Sequence, residues 1–187
     1  MTTPDIFDYG VTYKTSAQVL PWPTQPQLDA VHIWGPIFQG AAPPPGPHLS
    51  QQDFRVLVLA ARLPWEVDSH SYTGCDVYRY PLENQPEPVT KAMWDDIDRA
   101  VVRVEMILQG LYPEGVPPIL IACEQGKNRS ALVTAAVLHR VTGWSGKRCV
   151  EHIQKLSSRT FSNTCFADSV RERWPLTRPP LGKWVPK

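Results

Sequence analysis

Ile119-Leu120-Ile121-Ala122-Cys123-Glu124-Gln125-Gly126-Lys127-Asn128-Arg129-Ser130 is the stretch that decides how this chain reads. The four apolar residues predict a short strand buried on both faces. That strand delivers a cysteine to its C-terminal end. Five residues follow, with Gly126 in the middle, and Arg129 and Ser130 then open a helix. Successive backbone N–H groups in such a turn can converge on one point and form an anion nest. The helix N-terminus adds partial positive charge at the same place. Gly126 supplies a backbone conformation closed to other residues, and Arg129 can grip two phosphate oxygens with its planar fork. The same positive field at the cysteine's strand end makes Cys123 the candidate nucleophile. Ser130 is placed to donate a hydrogen bond to the sulfur. A cysteine merely packed in a core would explain Cys123 but not the Gly, Lys, Arg and Ser beside it.

Outward from this stretch the chain alternates between two periods. Val31–Trp34 and Ile37–Phe38 read as short edge strands, Arg55–Ala60 as a buried strand, and Asp76–Leu82 as a strand stopped by Pro81. Thr90 predicts the N-cap of a helix over Lys91–Gln109, closed by Gly110. Met93, Ile97, Ala100, Val101, Val104, Ile107 and Leu108 form its apolar stripe. A helix from about Ser130 to Val141, with Gly143 beyond its end, follows the quoted loop. Gly146–Ser157 capped by Ser145 and Phe166–Trp174 after Asn163 are two more. The pattern predicts one α/β domain, a short and mostly parallel sheet flanked by helices. We divide the chain into an N-terminal extension packing on the surface (1–28), the domain proper (29–175) and a Pro-rich basic tail (176–187).

Composition narrows the class. The 187 residues are 42% hydrophobic and 20% charged with a formal net charge of +1, so no global field recruits nucleic acid or an anionic membrane. Any affinity for anions must be local. No run reaches the ~18 apolar residues of a membrane span, and MTTPDIFDYG does not read as a signal peptide. Cys75, Cys123, Cys149 and Cys165 show neither C-x-x-C pairing nor zinc spacing, which points to a reducing, cytoplasmic setting with free thiols and to no metal. The 20 prolines cluster in Pro21–Pro26, Pro43–Pro47, Pro113–Pro118 and the tail. They read as loop punctuation rather than ligands for a partner domain. His139 and His152 fall on helices and read as packing residues; His32 and His70 have no partner that sequence can name.

The wording of the central stretch is that of a known family. Cys123-x5-Arg129-Ser130 around Gly126 resembles the signature loop of the protein tyrosine phosphatase superfamily, and its context resembles the dual-specificity branch. Val31–Gly40, with an Ile37-Phe38-Gln39-Gly40 turn, is similar to the entry strands. Tyr80-Pro81-Leu82-Glu83-Asn84 resembles the segment that carries the general acid, and Arg159, Ser162-Asn163 and Phe166 resemble the closing pattern. The likeness covers roughly residues 30–175. It implies a phosphomonoester hydrolase acting on phosphoproteins through a cysteinyl-phosphate. Cys123, Arg129 and Ser130 would be catalytic, and the phosphate would be held by the loop Glu124, Gln125, Gly126, Lys127, Asn128 and Arg129. No cofactor is implied; the partner is a phosphorylated protein, not nucleic acid or membrane, and the chain would be a monomer. In some relatives a second cysteine protects the nucleophile as a disulfide; Cys75 is the residue to consider here.

Two departures shape the expectations. Ala122 stands where the family has His. In Leu82-Glu83-Asn84-Gln85-Pro86-Glu87 no Asp is present: Asn84 stands where the acid would be, and an amide cannot donate a proton for this work. Glu83 is our expected acid, ahead of Glu87. These departures open an alternative, a pseudophosphatase that binds phosphorylated partners. Lys127 resembles phosphoinositide phosphatases, whereas Glu124 opposes polyanions. An RNA 5′-phosphatase is a further activity on such a fold, unsupported by the balanced charge.

Overall fold

The computed structural model describes residues 28–44, 49–63, 72–112 and 114–179. Expectations placed on residues 1–27, on residues 45–47 of the second proline run, on His70 and on residues 180–187 lie outside the described residues.

Among the described residues five strands form one sheet: β1 (Ala30–Trp34), β2 (Ile37–Ala41), β3 (Val56–Leu59), β4 (Asp76–Arg79) and β5 (Ile119–Cys123). Their order is β1-β2-β5-β3-β4, with β1 antiparallel to β2 and every other pair parallel. Every residue of β3 and β5 is buried, which is why their sequences are near-continuous Val, Leu and Ile rather than alternating. β2 differs from expectation. It lies inside the sheet beside β5, and the turn before it falls at Gly35-Pro36 rather than at Ile37–Gly40. Its small Gly40 admits the close approach of Asp29, whose carbonyl oxygen would lie 2.0 Å from a Cβ at that position. β4 ends as a regular strand at Arg79, but Tyr80 N–H and Leu82 N–H still donate to Leu59 and Ala60 at 2.8 and 3.2 Å. Pro81, between them, therefore turns its missing N–H to the open edge, where a proline is tolerated.

The described residues also form four α-helices, α1 (Lys91–Met106) between β4 and β5, and α2 (Arg129–Thr142), α3 (Gly146–Leu156) and α4 (Thr164–Arg173) after β5. Thr90, Ser145 and Asn163 each accept a backbone N–H at a helix start, from Met93, Arg148 and Cys165 at 3.3, 3.3 and 3.1 Å. Such caps are worth about 1 kcal/mol each. The stripe foreseen on α1 is buried throughout. Regular α-helix stops at Met106, and Ile107–Leu111 continues as a wider π turn that Gly110 ends at φ 104°. α2 is buried along Ser130–His139, as befits a helix apolar on all sides. It packs on β5 and β2 and against the other three helices, and an Arg140–Glu105 pair at 3.0 Å ties it to α1.

Beyond α4 the chain straps this helical layer. Trp174 stacks on His139 (4.6 Å between ring centroids, 13°) and meets Trp94 edge-on. Its carbonyl accepts Gly146 N–H at 2.7 Å, and Arg178 N–H donates to Gly143 at 2.8 Å. His139 and His152 are packing residues, bonded to the carbonyls of Trp144 and Ile33 at 2.6 and 3.0 Å.

Burial lowers the pKa of His139 below the ordinary 6.5; its bond to Trp144 opposes this, and the charges of Arg178 and Arg140 add to the lowering. The unfolded chain then binds the extra proton more readily than the folded one. The stabilisation is complete above pH 6.5 and is lost as pH falls below it. The melting temperature of the protein is expected to fall between pH 7.5 and 5.5, and less steeply in His139→Gln. Equal slopes for the two proteins would contradict this role.

Candidate active site

The parallel register places Ala41, Leu59 and Cys123 at one end of the sheet, and the Cys123–Arg129 loop folds over that end. Its carbonyl oxygens are taken up by the structure around it. Cys123 O accepts Ala42 N–H at 2.8 Å and Gly126 N–H at 3.3 Å; Lys127 O accepts Phe161 N–H at 2.9 Å; Asn128 O accepts Leu132 N–H at 3.0 Å. Gly126 O accepts the side-chain amide of Gln39 at 2.9 Å. In a trans peptide the carbonyl of one residue and the N–H of the next point in opposite directions. With these carbonyls turned into their supports, the N–H groups of Glu124, Lys127, Asn128 and Arg129 point away from them. Among the described residues none of the four has a backbone partner. That is the construction of an anion nest at a helix N-terminus.

Gly126 makes the turn feasible twice over. Its φ is +67°, and a Cβ there would lie 2.5 Å from both Ala41 N and Gly40 C. The loop thus rests directly on the backbone of β2.

Cys123 is buried, and its Sγ lies 3.3 Å from Ser130 Oγ. Arg129 is folded inward, its side chain 12% exposed, with one terminal nitrogen 3.2 Å from Glu124 Oε2. Asn128 is a hub. Its Oδ1 accepts Ser162 Oγ–H at 3.1 Å and Asn163 N–H at 3.0 Å, while its Nδ2 donates to Asn84 Oδ1 at 3.4 Å. Asn163 completes the tie by donating Nδ2–H to Gln85 O at 2.6 Å. The segment around Asn84 is therefore fastened to the loop from two sides.

The structure brings Asn84, not Glu83 or Glu87, into contact with the loop. Both glutamates are exposed, and neither has a described bond to it. Asn163 both caps α4 and braces the loop. Arg159 does neither: it pairs with Asp29 at 2.7 Å. Cys75 precedes β4, whose first residue is level with the start of β5. It thus sits at the opposite end of the sheet from Cys123, too far for a disulfide, and all four cysteines are free. Burial and then Asp76 push the Cys75 thiol up to about 12; burial does the same to Cys149. A cleft of about 410 Å³ lined by Asp53, Arg55, Asp76, Tyr112 and Glu114 also lies at that far end, away from the loop. Among the described residues no cluster of His, Cys, Asp and Glu could hold a metal, and no helix is long and apolar enough to cross a membrane.

Two supporting residues escaped the sequence reading. Gln39 is 2% exposed in a strand otherwise made of small and apolar residues; a lone amide there is a legible anomaly, since a buried amide demands a partner. Phe161, at φ +54°, carries no comparable signal.

No protein-family model matches the chain, and no curated protein matches it. Solved structures do. Human DUSP28 is similar over 82% of this chain and 96% of its own, at TM-score 0.60 and 16% identity. Tk-PTP in its active form is similar over 77% and 95%, at 0.61 and 18%. PTPMT1 in complex with PI(5)P is similar over 73% and 88%, at 0.56 and 18%. At these identities the likeness is one of fold: a single α/β domain with the architecture of the dual-specificity phosphatases.

Proposed function

We propose that the chain is a cysteine-dependent phosphomonoester hydrolase acting on phosphoproteins, on phosphotyrosine first and on phosphoserine and phosphothreonine more slowly. One observation carries the reading. A buried sulfur, a hydroxyl 3.3 Å from it, an inward arginine and four N–H groups directed away from their supports meet at one helix N-terminus. In the first step the sulfur of Cys123 attacks phosphorus, the P–O bond to the leaving group breaks, and its electron pair departs with that oxygen. The loop amides and Arg129 hold the three remaining phosphoryl oxygens, whose charge grows in the transition state. In the second step water attacks phosphorus and gives its proton to an acidic side chain acting as base, for which Glu83 is our candidate, while the P–S bond breaks and Ser130 donates a hydrogen bond to the departing sulfur. Cys123 is restored and phosphate leaves.

Protonation of the leaving oxygen is the weak part of this machinery. Glu83 is our candidate acid, but it is exposed and unanchored, so turnover should favour aryl phosphates, whose leaving groups need little help. A panel of aryl phosphate, phosphotyrosine peptide, phosphothreonine peptide and phosphoinositide tests the reading. Hydrolysis of the first two well ahead of the others is expected; failure to cleave any aryl phosphate would remove the proposal. If Glu83→Gln leaves phosphotyrosine and phosphoserine turnover untouched, the assignment of Glu83 falls alone. PTPMT1 was solved with PI(5)P, but the carboxylate of Glu124 beside Arg129 disfavours a polyphosphorylated headgroup here.

A second reading rests on the Asn84–Asn128 contact. With an amide fixed at the loop, the pocket could retain a phosphorylated partner without turning it over. A wild-type protein that binds phosphopeptide yet never forms a phosphocysteine would favour this binder.

A further inference from the structure

Glu124 is the immediate neighbour of Cys123, yet its carboxylate turns back to contact the arginine that closes the same loop, Oε2 lying 3.2 Å from the guanidinium. The two partners differ in freedom. Arg129 is enclosed, its side chain 12% exposed, whereas Glu124 is 43% exposed. Among the described residues the carboxylate has no second hydrogen bond or ion pair. One member of the pair is thus built in and the other can rotate out on its own side-chain bonds. An incoming phosphate presents the same chemistry as the carboxylate, planar-fork recognition by a guanidinium, with more charge and with the loop amides in addition.

We propose that Glu124 is a displaceable counter-anion of Arg129 and, through it, a specificity determinant; the inference rests on the phosphatase reading above. In the free protein the carboxylate occupies one arm of the guanidinium. Substrate phosphate replaces it, and the freed carboxylate stays tethered beside the bound phosphate. There it repels a second phosphate and attracts a cation. The substrate class it selects is a singly phosphorylated peptide with a Lys or Arg flanking the phosphorylated residue.

Inorganic phosphate is the probe for the first half, with binding followed calorimetrically on the full chain and folding checked by thermal melts. Glu124→Gln is expected to tighten phosphate binding by about five- to thirty-fold, the span of a partly exposed to a charge-assisted contact. In an Arg129→Ala background the same change should have little effect, because the competition is for that side chain. Unchanged or weaker binding in Glu124→Gln overturns the inference, as does a gain that survives undiminished without Arg129. For the second half, wild type should show a lower KM for a phosphotyrosine peptide with flanking Lys than for one with flanking Glu, and Glu124→Gln should lose most of that preference. A preference that persists in the variant also overturns it. If neither wild type nor Glu124→Gln binds phosphate or cleaves an aryl phosphate, the phosphatase reading falls and this inference with it; retained turnover with unaltered affinity sinks the inference alone.

Discussion

Cys123→Ser is expected to lower aryl phosphate turnover by at least about 10⁴-fold and to abolish any covalent phosphoenzyme. The substitution is nearly isosteric, so the Ser130 contact and the inward Arg129 have no reason to move. What changes is the attacking atom: a hydroxyl oxygen is a poor nucleophile without an adjacent base, and among the described residues the side chain bonded to position 123 is the Ser130 hydroxyl, not a histidine. The loop amides and Arg129 persist, so phosphopeptide affinity should survive. Rapid quench followed by mass analysis of the Cys123 peptide checks both halves. Residual turnover above about 1% of wild type would mean that another group carries the reaction. The same experiment separates catalyst from binder, because only a catalyst shows a phosphorylated Cys123 peptide in the wild type.

The second large effect is a gain. Asn84→Asp is expected to raise hydrolysis of phosphothreonine peptide by about 10²-fold, the lower end of what a positioned general acid contributes. Asp is isosteric with Asn, and Asn128 Nδ2 already donates to the retained oxygen of residue 84 at 3.4 Å. The new carboxyl would therefore sit where the amide is held now, against the loop. Aryl phosphates should gain much less, because their leaving groups depart unaided. The variant should also lose rate as pH rises through the pKa of the introduced acid, since only its protonated form donates. Alkyl turnover unchanged from wild type would show that residue 84 does not face the leaving oxygen.

Both predictions start from residues that sequence alone singled out, and local signals explain why. Ile119–Ala122 read as a strand covered on both faces; Gly126 marked a turn; Thr90 and Ser145 announced helix starts that the structure reproduces, and the helix expected from Phe166 begins at Thr164, directly after Asn163. The α1 stripe was legible because period 3.6 is written in neighbouring residues. What stayed hidden is held by contacts between distant parts of the chain. Gln39 reaches a loop carbonyl 87 residues away, and Asn163 fastens Gln85 across 78. No window of sequence contains both partners. β2 read as an edge strand because Ile37–Phe38 is a short run; its place beside β5 is a matter of sheet order, which periodicity does not encode. Family likeness drew attention to Arg159, yet its partner, Asp29, lies elsewhere.

The loop's outward-turned carbonyls have a consequence for the molecule as a whole. A field assembled from peptide dipoles has no proton to lose over the physiological range and no side chain for a modifying enzyme to neutralise. It also acts at bond-length range, where dissolved ions do little to mask it. On the proposed reading, a chain of nearly balanced charge, +1 overall, stays indifferent to anions at large while the amides of this one loop remain available to them at any ordinary acidity.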